Sequence, residues 1–158
     1  MSKSFKIQYS CDIGLDKINL GRERYFIEPI KVLKLIYEGL KLDVNDYPNC
    51  WHRRSDKDVW ELSPISNMLI ISWTEEVIPA LTLQDLIVLI PEFIKINDLT
   101  YWLEFCTEGE NIWNISYKSI KNDVLKSFSG DDLLKIVFEM ICWTIDTGYY
   151  HYKKSENV

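Results

Sequence analysis

The segment that most constrains the fold is an amphipathic stretch at residues 129–148, SGDDLLKIVFEMICWTIDTG. Its apolar side chains recur at the three- and four-residue spacing that gathers them onto one face of an α-helix. These side chains are Leu133, Leu134, Val137, Phe138, Ile141, Cys142 and Ile145. Ser129 is the predicted N-cap, and the carboxylates of Asp131 and Asp132 suit the positive end of the helix dipole. Gly148 is the predicted end of the helix, because glycine readily takes the left-handed conformation found there.

Two aromatic segments before this helix predict an antiparallel hairpin that the helix covers. TYWLEF at 100–105 and NIWNISYK at 111–118 have strand-forming composition, and Gly109 suits the turn between them. A third short strand is predicted at 124–128, VLKSF. Alternation along the first strand gives it two faces, with Tyr101, Leu103 and Phe105 on one and Trp102 and Glu104 on the other.

Two further helices are predicted earlier in the chain. Residues 28–41 carry Pro29 at the first helical position, which suits a residue without a backbone N–H. The stripe of this helix that is expected to be buried consists of Ile30, Leu33, Ile36, Tyr37 and Leu40. The other helix begins with Thr82 and Asp85, which have the spacing of a capping box. Pro91 is expected to end or kink it.

Together these elements predict a single α+β domain at residues 1–150, in which an antiparallel sheet of two to four strands packs against two or three helices. Residues 79–150 form its helix–strands–helix module, and residues 151–158 are expected to be a polar tail. A short strand is predicted at 5–9, FKIQY. The path of residues 59–73 is left open between strand and helix, because periodicity cannot decide over so short a run.

Composition and charge exclude several classes of function. The formal net charge of −6 disfavours broad binding to nucleic acid or to anionic membranes, because an acidic surface repels phosphate. The N-terminal residues lack the apolar core of a signal peptide, and no run reaches the roughly 18 apolar residues of a membrane span. The four cysteines are scattered, which predicts reduced thiols and a cytoplasmic location. Cys106 and Cys142 lie in apolar patterns and are predicted to be core residues.

The most reactive residue types are concentrated at residues 50–60, in a segment predicted to be a polar surface loop. The candidate ligand-binding residues are Trp51, His52, Arg53, Arg54 and Trp60. The two guanidinium groups could grip a phosphate or carboxylate while a tryptophan stacks on a base. The same cations would lower the pKa of the Cys50 thiol, as a nucleophilic cysteine requires. The structural interpretation is that the arginines pair with Asp56 and Asp58 while Trp51 anchors the loop to the core.

The histidines, the paired glutamates and the known sequence motifs give weaker evidence for a functional site. The only two histidines, His52 and His151, are far apart in the sequence and predict no zinc site. Glu75 and Glu76 are interpreted as a solvated turn before Pro79. The common nucleotide-binding and hydrolase fingerprints do not occur, so the sequence assigns no catalytic residue and predicts no cofactor. Binding is therefore favoured over catalysis, although an enzyme is left open.

One part of the chain resembles a group of small proteins. The pattern runs from IPALTLQDL through a proline-ended helix, YWLEF, WNISY and FSGD to an MICW helix and a final Gly-Tyr, over residues 78–150. It is similar to small uncharacterised proteins of gut anaerobes, especially Bacteroides relatives, and of their phages and mobile elements. The resemblance implies an accessory protein of a phage or mobile element, with antagonism of a defence system as one concrete role. It brings no catalytic residue with it.

The aromatic excess provides the functional prediction. The rings of Tyr101, Trp102, Trp113, Tyr117 and Trp143 are interpreted as core, and any ring left outside as a surface for protein binding. Their acidic neighbours differ from the basic surroundings of nucleic-acid platforms. We therefore predict an intracellular protein that binds a host or phage protein. The alternative is a protein that binds a nucleotide or another small anion at residues 50–60. A homodimer is left open.

Overall fold

Seven β-strands and three α-helices make up the described part of the chain, which is residues 23–54, 56, 58–66 and 74–150 of the computed structural model. The strands are β1 (Asn49–Arg54), β2 (Trp60–Pro64), β3 (Thr74–Pro79), β4 (Phe93–Ile96), β5 (Leu99–Thr107), β6 (Trp113–Ser119) and β7 (Val124–Gly130). The helices are α1 (Pro29–Tyr37), α2 (Leu83–Leu89) and α3 (Leu133–Asp146). None of the described helices combines the length and apolar character that crossing a bilayer requires. The strand predicted at 5–9 and the tail predicted at 151–158 lie outside the described residues.

The strands form two antiparallel sheets, and this confirms the predicted α+β class. The smaller sheet has the order β2–β1–β3, and the larger is a meander with the order β4–β5–β6–β7. One cluster of buried apolar side chains takes Trp51 and Ile78 from the smaller sheet and Ile115 and Tyr117 from the larger. Helix α3 lies against β6, β7 and α2. Both sheets therefore share one core.

Helix α3 begins later than the sequence predicts. Its N-cap is Asp132, whose side chain accepts a hydrogen bond from the Lys135 N–H at 3.2 Å. Ser129 is not the cap, because β7 stays paired with β6 as far as Gly130. The predicted end is confirmed, since Gly148 has a φ of +76° and donates its N–H to the carbonyl of Ile145 at 3.0 Å.

The capping box of α2 is confirmed. The Thr82 hydroxyl accepts a hydrogen bond from the Asp85 N–H at 3.3 Å, and the Asp85 carboxylate accepts one from the Thr82 N–H at 2.8 Å. Ile90 is already extended, with φ −70° and ψ 136°, which is the backbone conformation that a following proline favours. Pro91 therefore ends this helix rather than kinking it.

The predicted buried stripe of α1 is wrong in part. Ile30 is 67% exposed and Tyr37 is 90% exposed, whereas Val32 and Leu35 are fully buried. This segment carries apolar side chains around most of its circumference, so its periodicity does not select one face. The packing of the helix on the core decides which side is covered. Leu40, which follows the helix, is buried as predicted.

Two segments predicted to lack regular structure are strands of the smaller sheet. Residues 49–54, predicted as part of a surface loop, form the central strand β1, which pairs with both β2 and β3. Glu76, predicted to lie in a solvated turn, belongs to β3 and lies opposite Arg53. The open segment 59–73 contains strand β2, and its residues 67–73 lie outside the described part.

Candidate functional site: the outer face of the larger sheet

The candidate ligand-binding residues at 51–54 do not share one surface, because they occupy consecutive positions of a strand. Successive side chains of a strand point to opposite faces. Trp51 and Arg53 therefore lie on one face of the smaller sheet and His52 on the other, whereas Arg54 follows a register shift in the pairing with β3. Trp60 lies opposite Arg53 on the neighbouring strand β2.

The side chain of Trp51 is committed to the core. It is 4% exposed, and its indole N–H donates to the carbonyl of Ile27 at 3.1 Å. The ring of Phe26 meets it edge-on, with the two centroids 6.5 Å apart. An indole held in this way anchors the strand and presents no free face for stacking on a ligand.

Both arginines are already paired with carboxylates. Arg53 lies 2.9 Å from Glu76 and 3.2 Å from Asp58, and its guanidinium lies 5.5 Å from the centroid of the Trp60 ring. Arg54 makes a bidentate pair with Asp56, at 3.1 and 3.3 Å. An anion at this segment would have to compete with these carboxylates for the guanidinium groups.

The geometry that a nucleophilic cysteine needs is not present at Cys50. The thiol is fully buried, and burial raises its pKa, which disfavours the reactive thiolate. The Nε2 atom of His52 lies 2.8 Å from the hydroxyl of Ser63 instead. Burial lowers the pKa of His52; the Glu61 carboxylate opposes this shift and the Arg54 charge adds to it. The described residues contain no group of three or more side chains arranged to hold a metal ion.

The larger sheet has one face that no described helix covers. Its other face packs on α3, where the rings of Tyr117 and Trp143 lie 6.0 Å apart. We call the uncovered side the outer face and define it by the strand register. Its side chains are Phe93, Lys95, Thr100, Trp102, Glu104, Cys106, Asn114, Ser116, Lys118, Val124, Ser127 and Ser129.

One half of the outer face is aromatic and apolar. A single row across the four strands contains Phe93, Trp102, Lys118 and Val124, each opposite the next. Phe93 is 43% exposed and Trp102 is 52% exposed, and their ring centroids lie 5.3 Å apart. The two rings are in contact yet half open to solvent, and together they form a small apolar patch on this face.

The other half of the outer face consists of small polar side chains. Asn114 is buried and donates to the hydroxyls of Ser127 and Ser129 at 2.8 and 2.7 Å. The Cys106 thiol donates to the Asn114 carbonyl oxygen at 3.8 Å. Ser116 is 1% exposed, and its hydroxyl has no hydrogen-bond partner in the part of the chain that the structure describes. These short side chains form a low, polar surface beside the taller aromatic row.

An ion pair separates the two halves. The ammonium group of Lys118 lies 3.4 Å from the carboxylate of Glu104, and both side chains are partly exposed. Lys95, on the edge strand β4, lies 5.9 Å from the centre of the Phe93 ring. The cations of this face therefore stand at its aromatic end.

The sequence predicted part of this face and missed part of it. The position of Trp102, opposite in direction to Tyr101 and Leu103, is confirmed by the strand register. The core position predicted for Cys106 is wrong: strand alternation turns it to the outer face, where it is exposed, while its neighbour Phe105 points the other way. Phe93 was missed because β4 is too short to show a period. The core position of Cys142 is confirmed.

Comparisons of this chain with models of protein families, with curated proteins and with solved structures find no match. The functional argument therefore depends on the geometry of the chain itself.

Proposed function

We propose that this protein acts by binding another protein through the outer face of its larger sheet. The observation that carries the proposal is the contact pair of Trp102 and Phe93, which stands half exposed on a sheet face without a covering helix among the described residues. Tryptophan is among the residues that contribute most to protein–protein binding. Paired with the ring of Phe93, it supplies the aromatic centre that such interfaces require.

The exposed part of Trp102 is large enough to matter for affinity. About half of the side chain is open to solvent. Covering roughly 100 Å² of apolar surface on a large aromatic side chain contributes about 2–3 kcal/mol. That contribution is the size expected of a residue whose truncation dominates an interface.

The charges around the patch favour a protein over a nucleic acid. Lys118 is neutralised by Glu104, which leaves Lys95 as the other cation on the outer face. Aromatic platforms for single strands combine stacked rings with a continuous basic groove. The formal net charge of −6 adds a general repulsion of phosphate backbones.

The partner's origin is proposed from the resemblance alone. An accessory role in a phage or mobile element, with a host or phage protein as the partner and antagonism of a defence system as one form, is consistent with a binding surface and no assigned catalytic group. The acidic balance of the chain suits a basic surface on that partner.

Affinity capture with matched variants tests the proposal. Trp102→Ala removes the exposed ring, and Tyr37→Ala serves as the control because Tyr37 is 90% exposed on a different element, α1. We expect wild type and the Tyr37 variant to retain the same protein from cell lysate and the Trp102 variant to lose it. Capture that is equal for all three folded proteins would contradict the proposal.

A further inference from the structure

We infer that the free edge of strand β7 is a second protein-binding site, which takes an extended, basic segment of a partner protein as an added strand. The site is separate from the outer face, so the inference goes beyond the proposed function and does not depend on it. Three features of the described residues support it: backbone groups without a partner along β7, an open groove beside that strand, and two carboxylates at the groove without a cationic partner.

The alternation of hydrogen bonds across the larger sheet identifies the free backbone groups of β7. The Glu108 N–H donates to the Ile112 carbonyl at 2.8 Å, and antiparallel bonds recur at every second residue, so the even-numbered residues of β6 bond to β5. The odd-numbered residues of β6 therefore bond to the even-numbered residues of β7. The N–H and C=O groups of Ser127 and Ser129 point away from β6 and have no hydrogen-bond partner among the described residues. Such an edge is a template for another strand.

An open groove of about 290 Å³ lies beside the same strand. Among the described strands only β7 contributes to it, through the half-buried ring of Phe128. Helix α3 contributes the apolar side chains of Phe138, Cys142 and Trp143. The groove therefore lies at the border of the sheet, on the side that α3 covers.

An antiparallel strand added to β7 places a side chain in this groove. Phe128 directs its backbone groups to β6, so the residue opposite it on the added strand forms a non-hydrogen-bonded pair, in which the two side chains come closest. The side chain opposite Phe128 lies on the face where α3 packs, and an apolar one suits the aromatic lining. Edge recognition of this kind takes affinity from main-chain hydrogen bonds and specificity from a pocket for alternate side chains.

The ion pairs at the groove leave carboxylates available to a ligand. The charged residues that line it are Lys34, Glu139 and Asp146. Lys34 is paired with Glu38 at 3.7 Å, whereas neither Glu139 nor Asp146 has an ion-pair partner in the part of the chain that the structure describes. Both of these carboxylates belong to α3.

The charge balance around the groove stays negative when the neighbouring lysines are counted. Lys31 lies 5.7 Å from the centre of the Phe138 ring and 4.0 Å from Glu28. Lys126 lies 4.7 Å from the centre of the Phe128 ring. The lining residues, these lysines and their paired glutamates amount to four carboxylates against three lysines. A lysine or arginine two residues from the apolar side chain of the added strand meets this charge on the same face.

Peptide selection provides the probe for this site. Random nine-residue peptides displayed on phage are selected on the purified protein, and the selected sequences are synthesised for fluorescence polarisation at low salt. We expect dissociation constants of roughly 10–100 µM, because one added strand buries little area. We also expect the sequences to carry an apolar residue and a lysine or arginine two positions apart.

Two substitutions at one position test the backbone contact. Ser127→Pro removes the outward N–H, which edge strands tolerate because no bond to the neighbouring strand is lost. Ser127→Ala is the control, because it removes the same hydroxyl and keeps the N–H. We expect the proline variant to bind the selected peptides at least about tenfold more weakly than the alanine variant. Near-ultraviolet circular dichroism confirms that both variants are folded.

A second pair of variants tests the charge. Glu139→Gln with Asp146→Asn neutralises the two carboxylates of the groove. Asp98→Asn with Glu110→Gln changes the net charge equally at exposed positions that do not line the groove. We expect the first double variant to weaken binding of the basic peptides about three- to tenfold at low salt, and the second to change it less than about twofold.

Amide hydrogen exchange of the wild-type protein locates the bound peptide, and it replaces the proline variant if that variant does not fold. The N–H groups of Ser127 and Ser129 are expected to exchange at least about tenfold more slowly with peptide bound. Those of Phe93 and Lys95, which point outward at the opposite edge, are expected to be unchanged. Failure to select any peptide, equal binding by the two Ser127 variants, or protection at β4 instead of β7 would each overturn the inference.

Trp102→Ala separates this inference from the proposed function. Trp102 lies on the outer face, and its side chain does not line the groove. We expect Trp102→Ala to bind the selected peptides as tightly as wild type, even where it no longer captures the partner of the outer face. Loss of peptide binding in this variant would assign the peptides to the outer face and overturn the inference of an edge site.

Discussion

The hydroxyl of Tyr117 provides a stringent test of how the larger sheet is held on the core. Tyr117 is fully buried, and its hydroxyl donates to the carbonyl of Pro91 at 2.6 Å. This bond joins the central strand β6 to the connection between α2 and β4. Tyr117→Phe removes the oxygen and keeps the ring, so packing against Trp143 is retained.

The expected loss of stability follows from the burial of that bond. A net hydrogen bond contributes about 1 kcal/mol, and a buried acceptor left without a donor costs about 1–3 kcal/mol. Pro91 is only half-buried, so water can partly replace the lost donor. We therefore expect Tyr117→Phe to lower the free energy of unfolding by about 1–2 kcal/mol, which is about 3–6 °C in melting temperature for a chain of this size.

Urea unfolding of wild type, Tyr117→Phe and the control Tyr37→Phe measures this difference. Tyr37 is 90% exposed, so its hydroxyl is expected to change stability by less than about 0.5 kcal/mol. Burial also raises the pKa of Tyr117 far above its ordinary value. The unfolded chain therefore releases this proton first, so wild type and the Tyr37→Phe control, but not Tyr117→Phe, are expected to lose that share of stability as pH rises above about 10. Equal stability of the two variants at neutral pH would refute the reasoning.

Three further predictions concern the thiols, the buried histidine and the paired arginines. In a Cys11→Ser background, an aromatic disulfide reagent should label one thiol of the native protein, that of Cys106, because the thiols of Cys50 and Cys142 are buried. Adding Cys106→Ser should abolish the labelling, and full labelling of that double variant would contradict the prediction. The lowered pKa of His52 means that the unfolded chain binds its proton first, so stability should fall as pH drops below about 6.5. His52→Gln should flatten that decline in thermal melts from pH 7.5 to 5, and an unchanged slope would count against it. Inorganic phosphate should raise the melting temperature of wild type no more than that of an Arg53→Ala, Arg54→Ala double variant, because both guanidiniums already hold carboxylates; a phosphate-dependent rise found only in wild type would support the ligand-binding alternative.

Features set by neighbours in the sequence could be predicted. The capping box at Thr82 and Asp85 involves residues three positions apart, and Gly148 is required by the local backbone at the end of α3. The direction of Trp102 follows from the period of two along β5. Each of these features depends on residues that lie close together within one short segment of the sequence.

Features set by distant pairing could not be predicted in the same way. Ser129 has the composition of a helix cap, yet the pairing of β7 with β6 and the hydrogen bond from Asn114 hold it in a strand. The polar composition of residues 49–54 indicates a loop. In the folded protein, however, the charge of Arg53 is paired with Glu76 on strand β3 and with Asp58 in the connection before β2. Such partners become visible only when the chain is folded.

The candidate site shows the same division. The aromatic rings are interpreted from the sequence as core, and any ring left outside as a protein-binding surface; the core position is wrong for Trp102, which is 52% exposed. Its neighbour Phe93 comes from β4, whose four residues show no period and whose register with β5 is a tertiary property. The hydrogen bonds from Asn114 to Ser127 and Ser129 join β6 to β7, so the sequence of neither strand alone predicts them.

Site-specific photo-cross-linking in living cells tests the central claim most directly. A photoreactive amino acid replaces Phe93 on the outer face, and the same amino acid replaces Val88, which is 74% exposed on α2, as the control. The account predicts a protein-sized adduct from position 93 and none from position 88. No adduct at position 93, or the same adducts at both positions, would contradict the claim that the outer face binds a protein.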